Sequence, residues 1–101
     1  MNMQQTVIAV QKLQREYEKE HKILDEAHFS ATTSNAVKVT LKGDFTLVGV
    51  EILDKEVLNP SDPDTLTEMI RLAYNSCKEQ IMEKEDELMA RFKKKPGGMF
   101  F

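Results

Sequence analysis

Apolar and polar positions alternate most regularly between Ala36 and Ile52, in the stretch AVKVTLKGDFTLVGVEI. Val37, Val39 and Leu41 form one alternating run, and Val48, Val50 and Ile52 form a second. Period-two alternation rich in β-branched residues predicts two half-buried strands. Gly43-Asp44 lies between them, and Gly at the first central position suits a two-residue type II′ turn. Under that turn Lys42 faces Phe45, Leu41 faces Thr46, Val39 faces Val48 and Val37 faces Val50. The apolar residues of the two strands then share one side of the hairpin, and a slip of one residue would destroy the match. A lone hairpin is marginal in water, so its apolar side needs further strands or a helix as cover.

The flanking segments carry the other period. From about Met3 to Ala27 the chain has no Gly and no Pro, and Met3, Val7, Val10, Leu13, Tyr17 and Leu24 recur at steps that bring them to one side of a helix. Gln14 and His21 interrupt that side. Phe29 to Thr33 reads as a short strand leading into the hairpin. After Ile52 an irregular connection, LDKEVLNPSDPD, is expected to be pinned by Val57 and Leu58. A second helix begins at Asp62, a good N-cap, followed by Pro63 at the first helical position and Asp64 near the positive end of the dipole. No breaker follows until Pro96-Gly97-Gly98. Its seam runs Leu66, Met69, Ile70, Ala73, Tyr74, Cys77, Ile81, Leu88, Met89 and Phe92, and it thins where Lys84 falls between Ile81 and Leu88. Residues 1–95 read as one domain, with 96–101 as a mobile Gly/Phe tail whose Phe100 and Phe101 could dock elsewhere.

Length adds a constraint. Helices of about 25 and 30 residues measure roughly 37 and 45 Å, whereas a compact domain of this size has a radius of gyration of about 13 Å. Part of each helix must project or pack on another chain. With heptad-like seams on both, a homodimer is the expected form, and the distal second helix is the expected arm.

Composition narrows the function. The chain has 101 residues, 41% hydrophobic and 31% charged, as expected of a soluble protein with much exposed helix. A single cysteine, Cys77, excludes an internal disulfide framework and points to a reducing compartment. The early apolar cluster Val7 to Val10 is too short for a signal peptide, and no run approaches the roughly 20 residues that span a bilayer. These features predict a cytoplasmic protein. No nucleophile elbow, P-loop, dinucleotide fingerprint or C-x-x-C occurs, so no catalytic residue is assigned. His21 and His28 are about 10 Å apart along a helix and cannot share a metal within one chain. No cofactor and no metal are expected. Cys77 reads as a small buried thiol, Tyr17 and Tyr74 as core-edge residues, and Met69, Met82 and Met89 as packing.

The net charge of −3 means that any nucleic-acid contact must come from a local patch. One such patch is visible. At 100° per residue Lys12, Arg15, Lys19 and Lys22 fall within an arc of about 80°, nearly opposite the apolar seam. A basic stripe on an exposed helix can track a phosphate backbone. The alternative is a solvated face held by pairs such as Glu18–Lys22 or Lys12–Glu16. Arg91, Lys93, Lys94 and Lys95 form a second cluster, which would also suit a helix C-terminus. Lys38 and Lys42, on the hairpin face away from the core, form a third. No aromatic residues interleave with these cations, against a single-strand stacking platform. Nothing resembles a helix-turn-helix or zinc finger.

The order long helix, three strands, very long helix resembles the YbaB/EbfC family of bacterial nucleoid-associated proteins. The shared wording includes Met3-Gln4-Gln5, Gln11-Lys12-Leu13-Gln14, Ala36-Val37-Lys38-Val39-Thr40 with Gly43, and Val50-Glu51-Ile52 before Asp54. It continues with Leu58, Asp62, Leu66, Ala73-Tyr74-Asn75 and the ending Gly97-Gly98-Met99-Phe100-Phe101. Two stretches depart from the family pattern. Thr33-Ser34-Asn35 stands where a Gly-rich step is usual, and Thr6-Val7-Ile8-Ala9-Val10 replaces a Met/Gln/Lys run, which leaves Ile8 on the basic side of the helix. The resemblance implies an α+β fold and a tweezer-like homodimer with the sheet joined across the interface. It also implies binding of double-stranded DNA in the nucleoid with little sequence preference. The family has no defined catalytic residues. A dimeric scaffold for a protein partner, without DNA binding, is the rival reading. The charge geometry offers Lys12, Arg15, Lys19, Lys22, Lys38, Lys42, Arg91, Lys93, Lys94 and Lys95 as DNA contacts. Val37, Val39, Leu41, Val48, Val50, Ile52, Leu66, Ile70, Ala73 and Cys77 are offered for the core and dimer contact.

Overall fold

A computed structural model describes residues 3–98. The side chain of Met3, expected in the first seam, and the tail residues 99–101 lie outside the described residues. The elements are α1 (Met3–Glu26), β1 (His28–Thr33), β2 (Val37–Lys42), β3 (Leu47–Ile52), a 3-10 turn (Lys55–Val57) and α2 (Pro63–Lys93). The strands form one antiparallel sheet in the order β1-β2-β3. This is the α+β order expected from the sequence.

The central strand decides the packing. Val37, Val39 and Leu41 of β2 are fully buried, while Lys38, Thr40 and Lys42 between them are only half-buried. Ala73, Cys77 and Ile81 of α2 close over that face with no exposed surface to speak of. The Cys77 thiol donates to the carbonyl oxygens of Val39 at 3.3 Å and Phe29 at 3.5 Å, and burial pushes it up from its ordinary pKa. It is a packed thiol holding the helix to two strands. Ile52, Leu66 and Ile70 are half-buried around this core, as is Met69, whose carbonyl accepts from the Thr33 hydroxyl at 2.9 Å. Asp62 caps α2, accepting from the Thr65 amide at 3.3 Å, with Pro63 in the first turn. The connection is held by Val57, but Leu58 is 52% exposed, because the 3-10 turn leaves it pointing away from the core.

The β2–β3 hairpin differs from the expected one. Val39 pairs with Val50 and Val37 with Ile52, two residues away from the expected register, and Leu41 pairs with Leu47. Two causes act together. The turn has three loop residues: the Phe45 amide donates to the Lys42 carbonyl and the Lys42 amide donates to the Thr46 carbonyl, each at 2.9 Å. Phe45, at φ 70°, takes the left-handed position, not Gly43. A bulge between Thr40 and Leu41 then leaves Val48 without an opposite residue. A two-residue shift keeps the faces in phase, so the apolar side survives. Asp44 stabilises the loop by accepting from the Thr46 amide at 2.9 Å, and hydrogen bonding from the Thr46 side chain first, and from this amide second, holds its carboxyl below the ordinary aspartate range.

Gly43 serves another purpose. Its amide donates to the Ala27 carbonyl at 2.9 Å, and a Cβ there would fall on the Leu24 carbonyl oxygen. The loop is thus pressed against the end of α1, fixing where that helix leaves the sheet.

Beyond the sheet, α2 continues and α1 folds back along it. Leu13, Leu88 and Phe92 are buried together, with Tyr17 and Leu24 against them. Tyr17 and Phe92 meet edge to face with centroids 5.5 Å apart. The thinning of the α2 seam at Lys84 marks the changeover from sheet to α1. The molecule is therefore a small body with a two-helix arm, 69 Å long and only 17 × 16 Å across. At residues 96–98, where the expected tail begins, the Gly98 amide donates to the Lys95 carbonyl at 2.8 Å and Gly97 lies near Ala9 and Val10.

Candidate nucleic-acid interface

The outer face of α1 carries the stripe. Lys12, Arg15, Lys19 and Lys22 are all exposed, on the side away from Leu13, Tyr17 and Leu24. Neither Glu18–Lys22 nor Lys12–Glu16 forms a salt bridge. Two carboxylates of α1 are used across the arm instead. Glu20 is bound by Arg91, and Glu16 faces Lys95 at 3.7 Å. On the other flank His21 lies between Asp25, at 3.3 Å, and Glu85 of α2, at 3.4 Å. These two carboxylates, after desolvation, also raise the pKa of Tyr17. Among the described residues, the four stripe cations make no salt bridge. The pairing that holds the arm together occupies Glu16 and Glu20 on one flank of the stripe, while Glu18 and Glu26 stay exposed and, among the described residues, without a salt bridge.

The second cluster divides. Arg91 and Lys95 are engaged with α1, and the Lys95 ammonium also sits over the Phe92 ring, 4.1 Å from its centroid. Lys93 and Lys94 are exposed and project at the same end of the arm as Lys12 and Arg15. On the hairpin, Lys42 is 3.9 Å from Asp44 and Lys38 lies opposite Glu51, so both have acidic neighbours. The structure thus brings Lys12, Arg15, Lys19, Lys22, Lys93 and Lys94 onto one arm, and sets Lys38 and Lys42 apart on the body.

The opposite side of the arm has the reverse sign. Glu79, Glu83, Asp86 and Glu87 are exposed along the outer face of α2, around Met82 and Ala90. Met82 is 48% exposed and is not the packing residue expected of it, because it faces away from both sheet and α1. This acidic patch, in which Glu87 is paired with Lys84 at 3.3 Å, disfavours a polyanion, whereas the outer face of α1 presents four cations without salt bridges among the described residues. Reading each helix alone could not show this, since which carboxylates are neutralised depends on how α1 and α2 pair.

Among the described residues no cluster of His, Cys, Asp and Glu could hold a metal, and no helix is long and apolar enough to cross a membrane.

β3 offers a surface of another kind. α2 packs chiefly on β1 and β2 and, Ile52 apart, leaves β3 largely uncovered. Leu47, Val48 and Val50 are 54, 48 and 38% exposed, and β3 is an edge strand with one side unpaired. Val48 and Val50 are therefore surface residues of the protomer.

Comparison with known proteins agrees with this architecture. A solved structure of an uncharacterized protein from Helicobacter pylori has the same fold, with a TM-score of 0.77, covering 90% of this chain and 96% of that one at 17% identity. A nucleoid-associated protein of Streptococcus pneumoniae is 33% identical over 93 residues, 91% of this chain and 93% of its own. One from Lactococcus lactis subsp. cremoris is 30% identical over 95 residues, 93% of this chain and 95% of its own. The profile of the YbaB/EbfC DNA-binding family matches residues 1–96, and the chain belongs to that family.

Proposed function

We propose that this is a nucleoid-associated protein that binds duplex DNA along the outer face of α1. The observation that carries the reading is the stripe Lys12, Arg15, Lys19 and Lys22, exposed and free of salt bridges among the described residues. From Lys12 to Lys22 is about 15 Å of helix. Along the duplex axis the phosphates of one strand repeat every 3.4 Å or so, so a stripe lying along that axis spans about four of them. Lys93 and Lys94 extend the positive surface at the arm's end. The contacts are to the backbone, which explains little preference for sequence.

The working form is a homodimer joined through β3. An uncovered edge strand with exposed Leu47, Val48 and Val50 is a template for pairing with another strand. Pairing with a second copy would continue the sheet, cover these side chains and hold two arms at a fixed spacing. The nucleoid, in the cytoplasm, is where such a protein acts.

Replacing Arg15, Lys19 and Lys22 together by Gln tests the reading. The variant is expected to keep its fold and dimer, by circular dichroism and sedimentation, and to lose duplex binding at low salt. The unmodified dimer, with about four phosphate contacts per protomer, should show a log–log salt slope near −7. Full affinity in the triple variant would show that the contact surface lies elsewhere. No binding by the unmodified protein would favour the scaffold for a protein partner.

A further inference from the structure

One residue on the stripe is out of keeping with it. Ile8 is 61% exposed, on a helix whose apolar seam lies on the opposite side. At 100° per residue it falls at the middle of the arc of about 80° that holds the stripe. Arg15 and Lys22 lie to one side of that line and Lys12 and Lys19 to the other. Among the described residues nothing buries it. Ile23, 65% exposed, is different: it sits at the margin of the arc and forms the lip of a groove between the helices with Leu24, Phe29 and Leu88.

Ile8 heads the centre line of the stripe, with Arg15 and Lys22 further along on one flank, Lys12 and Lys19 on the other and Glu26 at the far end of the helix, and its N-terminal half thus matches one surface of duplex DNA. The major groove, about 12 Å wide, admits a helix, whereas the minor groove, about 6 Å wide, does not. A helix seated there has a phosphate wall on either side and base edges beneath its centre line. The apolar group those edges present is the C5-methyl of thymine. The geometry points to Ile8 as a base-reading residue, which seats α1 in the major groove and contacts thymine methyl groups. This rests on the DNA-binding reading and adds a direction to it: the flanking cations bind any sequence, and Ile8 tilts the preference toward A·T pairs.

The test changes one methyl group at a time. Binding is measured on an A·T-rich duplex and on the same duplex with uracil in place of thymine, for the unmodified protein and for Ile8→Ala. Loss of a contact worth one buried methyl is about four-fold in affinity. The unmodified protein should bind the uracil duplex about four-fold more weakly per contacted thymine. Ile8→Ala should bind the thymine duplex more weakly than the unmodified protein and should not distinguish thymine from uracil. The salt slope should be the same in every combination, because the phosphate contacts are untouched. Methylating cytosines at C5 in a G·C-rich duplex should strengthen binding by the unmodified protein only.

Equal binding of thymine and uracil duplexes by the unmodified protein overturns the assignment while leaving the phosphate stripe intact. So does an Ile8→Ala variant that still discriminates, or one that no longer dimerises, which would place Ile8 in a contact between copies. Failure of the unmodified protein to bind either duplex at low salt would overturn the DNA-binding reading, and this assignment with it.

Discussion

The same helix is held in two different ways along its length. In the body, α2 meets the sheet through Ala73, Cys77 and Ile81, packed on Val37, Val39 and Leu41 with no buried charge. In the arm it meets α1 through Leu88 and Phe92 against Leu13 and Tyr17, a small cluster flanked by Glu20–Arg91, Glu16–Lys95 and His21–Glu85. Burial of apolar surface dominates the first and is insensitive to salt. In the second, ion pairs at the surface contribute little each and are screened. The body is therefore the rigid base, and the arm is the part whose stability changes with ionic conditions. The charged groups that join the arm are also what leave its basic stripe unpaired.

The largest effects should come from the two cores, and they should differ in kind. Leu41→Ala removes a fully buried side chain at the centre of the sheet and is expected to cost about 2 to 5 kcal/mol in global stability. Phe92→Ala, also at a fully buried site, should cost about 3 to 5 kcal/mol within the arm. Native-state hydrogen exchange separates the outcomes. In Phe92→Ala the amides of α1 should lose protection while those of β2 keep theirs, and duplex binding should fall as the stripe loses its straight support. If β2 loses protection equally, body and arm unfold as one cooperative unit and are not held independently.

A smaller effect is expected at the joint. Gly43→Ala places a methyl group on the Leu24 carbonyl, a backbone atom that cannot rotate away. Overpacking of this kind usually costs about 1 to 3 kcal/mol. The hydrogen bonds from Gly43 to Ala27 and from Asp44 to Asp25 should weaken with it. The readout is the maximum dimension in small-angle scattering: the arm should change its angle to the body while the sheet stays folded. An unchanged profile with full stability would mean that the joint is looser than its geometry implies.

Joint and arm also show where the sequence is legible and where it is not. Alternation at Val37, Val39 and Leu41 gives the central strand directly, because parity alone assigns a face. Asp62-Pro63 gives the start of α2, because capping is local chemistry. The hairpin register is not legible. Asp44 bonding to Thr46, Phe45 in the left-handed region and the bulge at Val48 each depend on competition among turns of nearly equal energy. Gly43 looks like a turn glycine in the sequence, and its need for space near Leu24 appears only once α1 is in place. The Thr33-Ser34-Asn35 turn is similar. Ser34 and Asn35 adopt φ values of 52° and 54°, which a Gly-rich step would take without strain. For the candidate site, helical arithmetic places Lys12, Arg15, Lys19 and Lys22 on one face. It cannot say which carboxylates are available to them, since Glu16 and Glu20 are claimed by residues more than 70 positions away.

The smallest effect is expected at a single ion pair on the surface of the arm. Glu20 and Arg91 are 42 and 59% exposed, so their pair should be worth about 0.5 kcal/mol at low salt. Glu20→Gln should lower the exchange protection of the arm about two-fold under those conditions. At 1 M salt, where charges are screened within about 3 Å, variant and parent should be alike. Glu18 provides the contrast, since it is exposed on the same helix and makes no salt bridge among the described residues. Glu18→Gln should leave arm protection unchanged at any salt, while removing the same formal charge. Both substitutions make α1 more positive, so both should strengthen duplex binding slightly through the general field. Only Glu20→Gln also frees Arg91, which then becomes available to a phosphate, and it should steepen the salt slope by nearly one further unit per protomer. Equal slopes for the two variants would mean that Arg91 stays with α1 even when its partner is gone. The arm would then be held by Phe92 and its neighbours alone, and its ion pairs would serve only to neutralise the flank beside the stripe.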